Sequence, residues 1–370
     1  MADLGKALRA AREAAGVSLG AMAHRTNYSK ALLGHIETGK RRVQDEHVIA
    51  YSRELGVPVA VLYGPRLDPL RMAHEWLARP TPARSHLEAG RQIGTSLVAS
   101  LEERVVTLRH LDDFVGGRDL LPVVRRELVD AQMVARDARY TDATGRRLLV
   151  AVGELAQLVG WVASDAGRYA DAEATYLSGV TAAREAGDTA LVGQLFSSLA
   201  YQMANVGNSA DAVLLAQSAM AGAREAVPAV RTLLGERLAW AHARARDGEQ
   251  AHRALELVED EWERRTSDDA EPEWVYWLSR DEIDVMAGRC LIELGDPTAA
   301  RPLLAAAVDA YDEDHIREKA LYMTWLAEAL ADAGDLDGAR ATLDGIRALA
   351  DQVQSSRLDL RVANIERRVG

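Results

Sequence analysis

The sequence predicts an all-α protein: a small N-terminal helical module followed by a long right-handed stack of helix pairs. Three observations predict it. The 370 residues are rich in Ala, Leu, Arg and Glu but hold only two phenylalanines and ten prolines, a bias toward helix over sheet. In the first sixty or so residues, apolar side chains recur at the three- and four-residue spacing of short helices. From Val150 onward, a glycine-centred pattern returns at intervals typical of helical repeats.

Composition narrows the function classes. Cys290 is the single cysteine, so a disulfide framework is excluded and a reducing, cytoplasmic setting is expected. No apolar run approaches the length of a membrane span, and the charged N-terminus lacks the apolar segment of a signal peptide. Net charge is −12, but it splits into +4 over residues 1–66 and −16 over the rest. A basic module suits a polyphosphate partner, and an acidic body would be repelled by one.

The elements of the basic module follow in order. Leu4, Ala7, Leu8 and Ala11 share one helical face, and Gly16 stops that helix. Ser18 caps a second helix carrying Leu19, Met22 and Ala23, which ends near Thr26. Asn27 tolerates the left-handed conformation of a tight turn. Ser29 caps a third helix, Lys30 to Thr38, with Leu33 and Ile36 inward and Gly39 at its end. A fourth helix runs from about Asp45 to Leu55, and a final short turn lies near Leu62.

Two short helices joined by a three- or four-residue turn make a helix-turn-helix. The stretch VSLGAMAHRTNYSKALLGHIETGKRR resembles that of the Cro/CI-repressor-like (XRE) family. The likeness rests on Met22-Ala23, the turn Thr26-Asn27-Tyr28, the Ser29 cap and the ending Ile36-Glu37-Thr38-Gly39. Two departures stand out: Leu19 where the family usually has glutamine, and Asn27 where its turn usually has glycine. The resemblance implies a five-helix DNA-binding domain whose third helix enters the major groove of double-stranded DNA. Ser29, Lys30, Ala31, Gly34 and His35 are then the outward-facing candidates. Lys30 can donate to guanine, Ala31 can touch a thymine methyl, and Gly34 permits close approach. Lys40, Arg41 and Arg42 are placed to hold phosphates, with Arg12 and Arg25 as weaker candidates. Gly34 to Arg41 nearly spells a phosphate-binding P-loop, but Arg41 stands where Ser or Thr should reach magnesium.

Pro65, Pro69, Pro80 and Pro82 punctuate a hinge over residues 64–84, with a short helix, Leu70 to Ala78, carrying Trp76. Helices then fill residues 85–138. The repeat that follows is a helix, a glycine turn with alanine three to five residues on, and a second helix. Its turn glycines are Gly167, Gly207, Gly248, Gly295 and Gly334, spaced 40, 41, 47 and 39. The pattern resembles the tetratricopeptide repeat, with longer units, and Ser356 to Val369 reads as a capping helix. The expected domains are 1–66, a connector over 67–145, and repeats over 146–370.

Such an array exposes a groove lined by the first helix of each pair. Counting back from each glycine places Glu154, Gln157, Trp161, Ser197, Tyr201, Asn205, His242, Arg246, Glu282, Arg289, Thr324, Trp325 and Glu328 there. Trp161, Tyr201, Asn205, Arg246 and Trp325 are the ligand candidates. The asparagine would bond a peptide backbone and the arginine would clamp a carboxylate. No HExxH, CxxC, GxSxG or GxGxxG motif occurs, so no catalytic residue, metal or cofactor is expected. The expected function is a homodimeric DNA-binding transcription regulator that senses a peptide or protein. The alternative is a repeat-based interaction scaffold.

Overall fold

In the computed structural model, residues 4–41, 43, 45–57, 62, 93–113, 117–206, 208–311, 316–350 and 356–369 are described, and all regular structure among them is helical. Arg42, Gly207, the proline-rich stretch 64–84 with Trp76, and the flanks of Leu62 lie outside the described residues. The chain divides into two compact units.

The first unit contains α1 (Leu4–Ala14), α2 (Leu19–Thr26), α3 (Lys30–Glu37) and α4 (Asp45–Leu55). Local chemistry sets their ends. The Ser18 hydroxyl accepts from the Ala21 amide and the Ser29 hydroxyl from the Leu32 amide, both at 3.1 Å. Asn27 takes the left-handed conformation, φ 58°, that the turn between α2 and α3 requires. Leu8, Met22, Leu33, Ile36, Val48, Tyr51 and Leu62 form the core.

The second unit contains α5 (Thr95–Asp112, through Arg109), α6 (Gly117–Asp137), α7 (Asp142–Asp165), α8 (Tyr169–Ala186), α9 (Thr189–Val206), α10 (Ser209–Gly222), α11 (Pro228–Arg244), α12 (Gly248–Arg264), α13 (Arg280–Leu294), α14 (Pro297–Ala310), α15 (Ile316–Asp332), α16 (Leu336–Ala350) and α17 (Ser356–Val369). A 3-10 turn, Glu273–Val275, precedes α13. From α7 to α16, consecutive helices pair, and the first helix of each pair packs on the first helix of the next. Helix α17 covers α15 and α16 at the end. Small residues set the spacing within a pair: a side chain at Gly160 would collide with the buried Tyr176 ring. Helices α5 and α6, in the stretch expected as a connector, bond to the first repeat. Arg147 donates to Glu102, and Arg125 donates to Asp171.

Two expectations need correction. Helix α7 is long and apolar enough to cross a membrane by length and composition. Leu148, Val152, Leu155, Val159 and Val162 are buried inside the protein, which accounts for that apolar stretch. The third repeat turn is not at Gly248. In the other turns, Gly167, Gly295 and Gly334 hold φ of 76°, 86° and 86°. Here Arg246 holds φ 61°, and its amide donates to Ala243 as Gly295 donates to Ile292. Gly248 is the first residue of α12, capped by Asp247. Among the described residues the turn positions are therefore 167, 246, 295 and 334, and every groove position counted back from Gly248 was two residues late.

Candidate functional site

Helix α3 presents one polar, uncluttered end. Lys30, Ala31 and His35 are exposed, Gly34 is half-buried, and the pairs 30/34 and 31/35 each share a face one turn apart. Ser29 is exposed but its hydroxyl is engaged as the cap. Beyond Gly39, Lys40 and Arg41 are exposed, and both their amides donate to the His35 carbonyl, at 2.8 and 3.1 Å. That turn fixes the two cations beside the end of α3. Arg25 is exposed near the end of α2.

Arg12 is a correction. Its guanidinium is buried and donates to both Glu37 oxygens at 2.6 Å, and to the Val17 carbonyl at 2.9 Å. The Tyr51 hydroxyl donates to the same carboxylate at 2.7 Å. Burial, then the bond to Glu37, push the Tyr51 phenol well above its usual range. Arg12 has no free donor face for a phosphate; it ties α1 to α3 and so holds α3 in place.

On the repeat unit, the first helices of successive pairs bring a row of rings and arginines together. Trp161 of α7 stacks on Tyr201 of α9, ring centres 5.8 Å apart. Tyr201 lies 6.4 Å from Trp240 of α11. Arg237 of α11 sits 4.4 Å from the Tyr201 ring centre. Arg289 of α13 sits 4.5 Å from both Trp240 and Trp325, and donates to the Tyr201 hydroxyl at 2.8 Å. Arg289 thus reaches two pairs back, past α11. The row runs along the first helices of the pairs, the face expected to line the groove. Of its acids, Glu236 is buried and Glu282 half-buried. Glu282 accepts from Tyr311 at 2.5 Å and from Tyr322, and burial raises its pKa. Burial pushes the Glu236 carboxyl up to about 8. At the near end, Arg109 donates to Glu154, whose pKa burial also raises, and to Glu273.

Of the sequence candidates, Trp161, Tyr201 and Trp325 belong to this row, the two tryptophans half-buried at its ends. Asn205 is beside it, but its side-chain oxygen accepts from the Trp240 indole at 3.1 Å. Arg246 is not on a helix; it pairs with Glu293 at 3.2 Å in the turn. Ser197, His242 and Thr324 are buried and make none of the ring contacts of this row. Trp240, Arg237 and Glu236 were missed, because the register error displaced them. Their signal was present: Trp240 stands six residues before the turn at 246, as Trp161 and Tyr201 stand before 167 and 207. Separately, a cleft of about 580 Å³ opens by the starts of α7, α9 and α11, lined by Arg146, Arg147, Thr189 and Val227. Among the described residues no cluster of three or more His, Cys, Asp or Glu could hold a metal ion.

Residues 3–62 match a family model described as a helix-turn-helix domain. No curated protein matches the chain. Among solved structures, BtubC from P. vanneervenii is 16% identical, with a TM-score of 0.45 over 64% of this chain and 92% of that one. A Podosopora anserina putative kinesin light chain with TPR-like repeats is 17% identical, with a TM-score of 0.39 over 53% and 93%. Bacillus thuringiensis PlcR, in complex with the peptide PapR7 and DNA, is 11% identical, with a TM-score of 0.36 over 90% and 99%. At these scores the three likenesses carry no functional weight. Residues 3–62 are thus similar to a helix-turn-helix domain, and α7 to α16 form an array of packed helix pairs.

Proposed function

We propose that the protein is a cytoplasmic DNA-binding transcription regulator whose repeat unit senses a peptide or protein effector. The observation that carries the DNA half is the exposed face of α3, with Lys40 and Arg41 held beside its end in a helix-turn-helix domain. Lys30, Ala31 and His35 read base edges, while Lys40, Arg41 and Arg42 hold phosphates. The polar and aromatic inner face supports the effector half. One such domain spans a few base pairs, so we propose a homodimer reading half-sites about 34 Å apart.

The test is DNA binding by the full chain across a salt series. Replacing Lys40, Arg41 and Arg42 with alanine is expected to weaken specific and non-specific DNA alike, lowering the salt slope by about one per lost phosphate contact. Lys30→Ala is expected instead to relax preference at one or two positions. Unchanged affinity and slope would reject the interface. A stable monomer by sedimentation, on and off DNA, would reject the dimer.

A further inference from the structure

Four arginines are more than nine-tenths buried among the described residues: Arg12, Arg109, Arg237 and Arg289. Arg12 meets the Glu37 carboxylate, and Arg109 meets those of Glu154 and Glu273. Arg237 and Arg289 form no ion pair among the described residues. Yet both cations share one ring, their guanidinium carbons 4.4 and 5.5 Å from the centre of Tyr201. A guanidinium cannot shed its proton to escape burial. Ring faces offset part of the lost hydration, but they accept no hydrogen bonds in the guanidinium plane.

The hydrogen bonding is also incomplete. Arg289 Nε, Trp325 Nε1 and Glu236 Oε1 are buried without a partner. Two acids act on the pair through space without touching it: Glu236 and Glu282 each interact electrostatically with Arg237 and Arg289. Glu282 is engaged by Tyr311 and Tyr322. Glu236 is mostly protonated at pH 7, its carboxyl pushed up to about 8 by burial. The inner face thus holds two arginines with no direct carboxylate contact among the described residues, walled by rings and with the Arg289 Nε and Trp325 Nε1 donors unfilled.

We propose that Arg237 and Arg289 are paired anchors for a carboxylate-bearing ligand, with the Tyr201, Trp240 and Trp325 rings holding its apolar part. The planar fork of a guanidinium matches a carboxylate bond for bond. The same fork also fits phosphate, but the Tyr201, Trp240 and Trp325 rings around both arginines suit a ligand with an apolar part. The proposal deepens the effector half of the regulator reading and rests on it.

The test uses the full chain without DNA, followed by thermal unfolding and tryptophan fluorescence. The probes are the tripeptide Ala-Leu-Phe as free acid and as amide, succinate, and inorganic phosphate. The free acid or succinate is expected to raise the melting temperature and change the fluorescence. The first outcome identifies a peptide terminus as the source, the second a small organic acid. The amide is expected to bind at least about tenfold more weakly than the free acid. Arg237→Met and Arg289→Met are expected to lose the response; because Arg289 also bonds Tyr201 and sits on two rings, each variant's response is read against its own unliganded melting temperature. If either fails to fold, Arg237→Lys and Arg289→Lys keep the cation and lose the fork, and a weakened response is expected. No response to any carboxylate, a response to phosphate alone, or an undiminished response in the variants would overturn the proposal. Because DNA is absent, a carboxylate response in a chain that fails to bind DNA would reject the regulator reading and leave this site standing.

Discussion

Arg246 occupies a backbone conformation that its neighbours in the array reserve for glycine. An L-residue in that region costs about 1 kcal/mol or more. The cost is offset in part by Arg246 itself, which pairs with the Glu293 carboxylate and donates to the Glu293 carbonyl. The side chain is mostly exposed, so that pairing contributes little. Arg246→Gly is therefore expected to raise stability by about 0.5–1 kcal/mol, read as a higher urea midpoint at unchanged slope. Glu236 yields a prediction in pH. Its folded pKa, about 8, lies above the unfolded value, so the folded state holds the proton more tightly. Its stabilisation is full below the unfolded pKa of about 4.3. Stability is then lost as pH rises toward 8, at up to about 1.4 kcal/mol per pH unit from this group, and is level above. Glu236→Gln should remove that component and leave the protein more stable than wild type at pH 8. Parallel stability–pH curves for the two proteins would refute the assignment.

At the scale of the element, α3 carries a glycine that folding does not need. A methyl group at Gly34 would sit 3.6 Å from Leu19, ordinary contact, and glycine inside a helix costs about 1 kcal/mol against alanine. Gly34→Ala is expected to stabilise the domain by about that amount while weakening DNA binding, if a groove wall approaches the backbone there. A stabilised variant with unchanged DNA affinity would show that Gly34 is not a contact. The same helix shows why the first unit was legible. Ser18, Asn27, Ser29 and Gly39 act within three or four residues of themselves, so their chemistry is written locally. The inner face was only partly legible for the converse reason. Reading it needs the turn register, and a left-handed arginine does not announce itself as glycine does. Asn205 and Arg246 were chosen for what their side chains could do. Whether those side chains were already engaged, by Trp240 and Glu293, depends on helices 35 and 47 residues away.

The whole molecule separates its tasks by charge. Residues 1–66 carry +4 and the rest −16, a split that under the proposed function would draw DNA to the first and keep the remainder off it. Burial repeats that division on a smaller scale. The Cys290 thiol is fully enclosed and its pKa is pushed up to about 12, so the single cysteine should react with thiol reagents only when the array opens.

Stacked-repeat proteins ordinarily behave as one-dimensional chains in which each unit feels only its neighbours, so that they fray from the ends. The reach of Arg289 back to Tyr201, across the helix between them, breaks that rule. Together with the rings of Trp161, Trp240 and Trp325, it couples four successive helix pairs and part of a fifth through one shared surface. The expected consequence is a single cooperative block. Arg361 of α17 also lies over the Trp325 ring, so amide hydrogens from α7 to α15 and in α17 should exchange with one common opening free energy, while α16, which adds no residue to the row, exchanges earlier. A smooth gradient of protection from one end of the array to the other would show that the row decorates the stack without joining it.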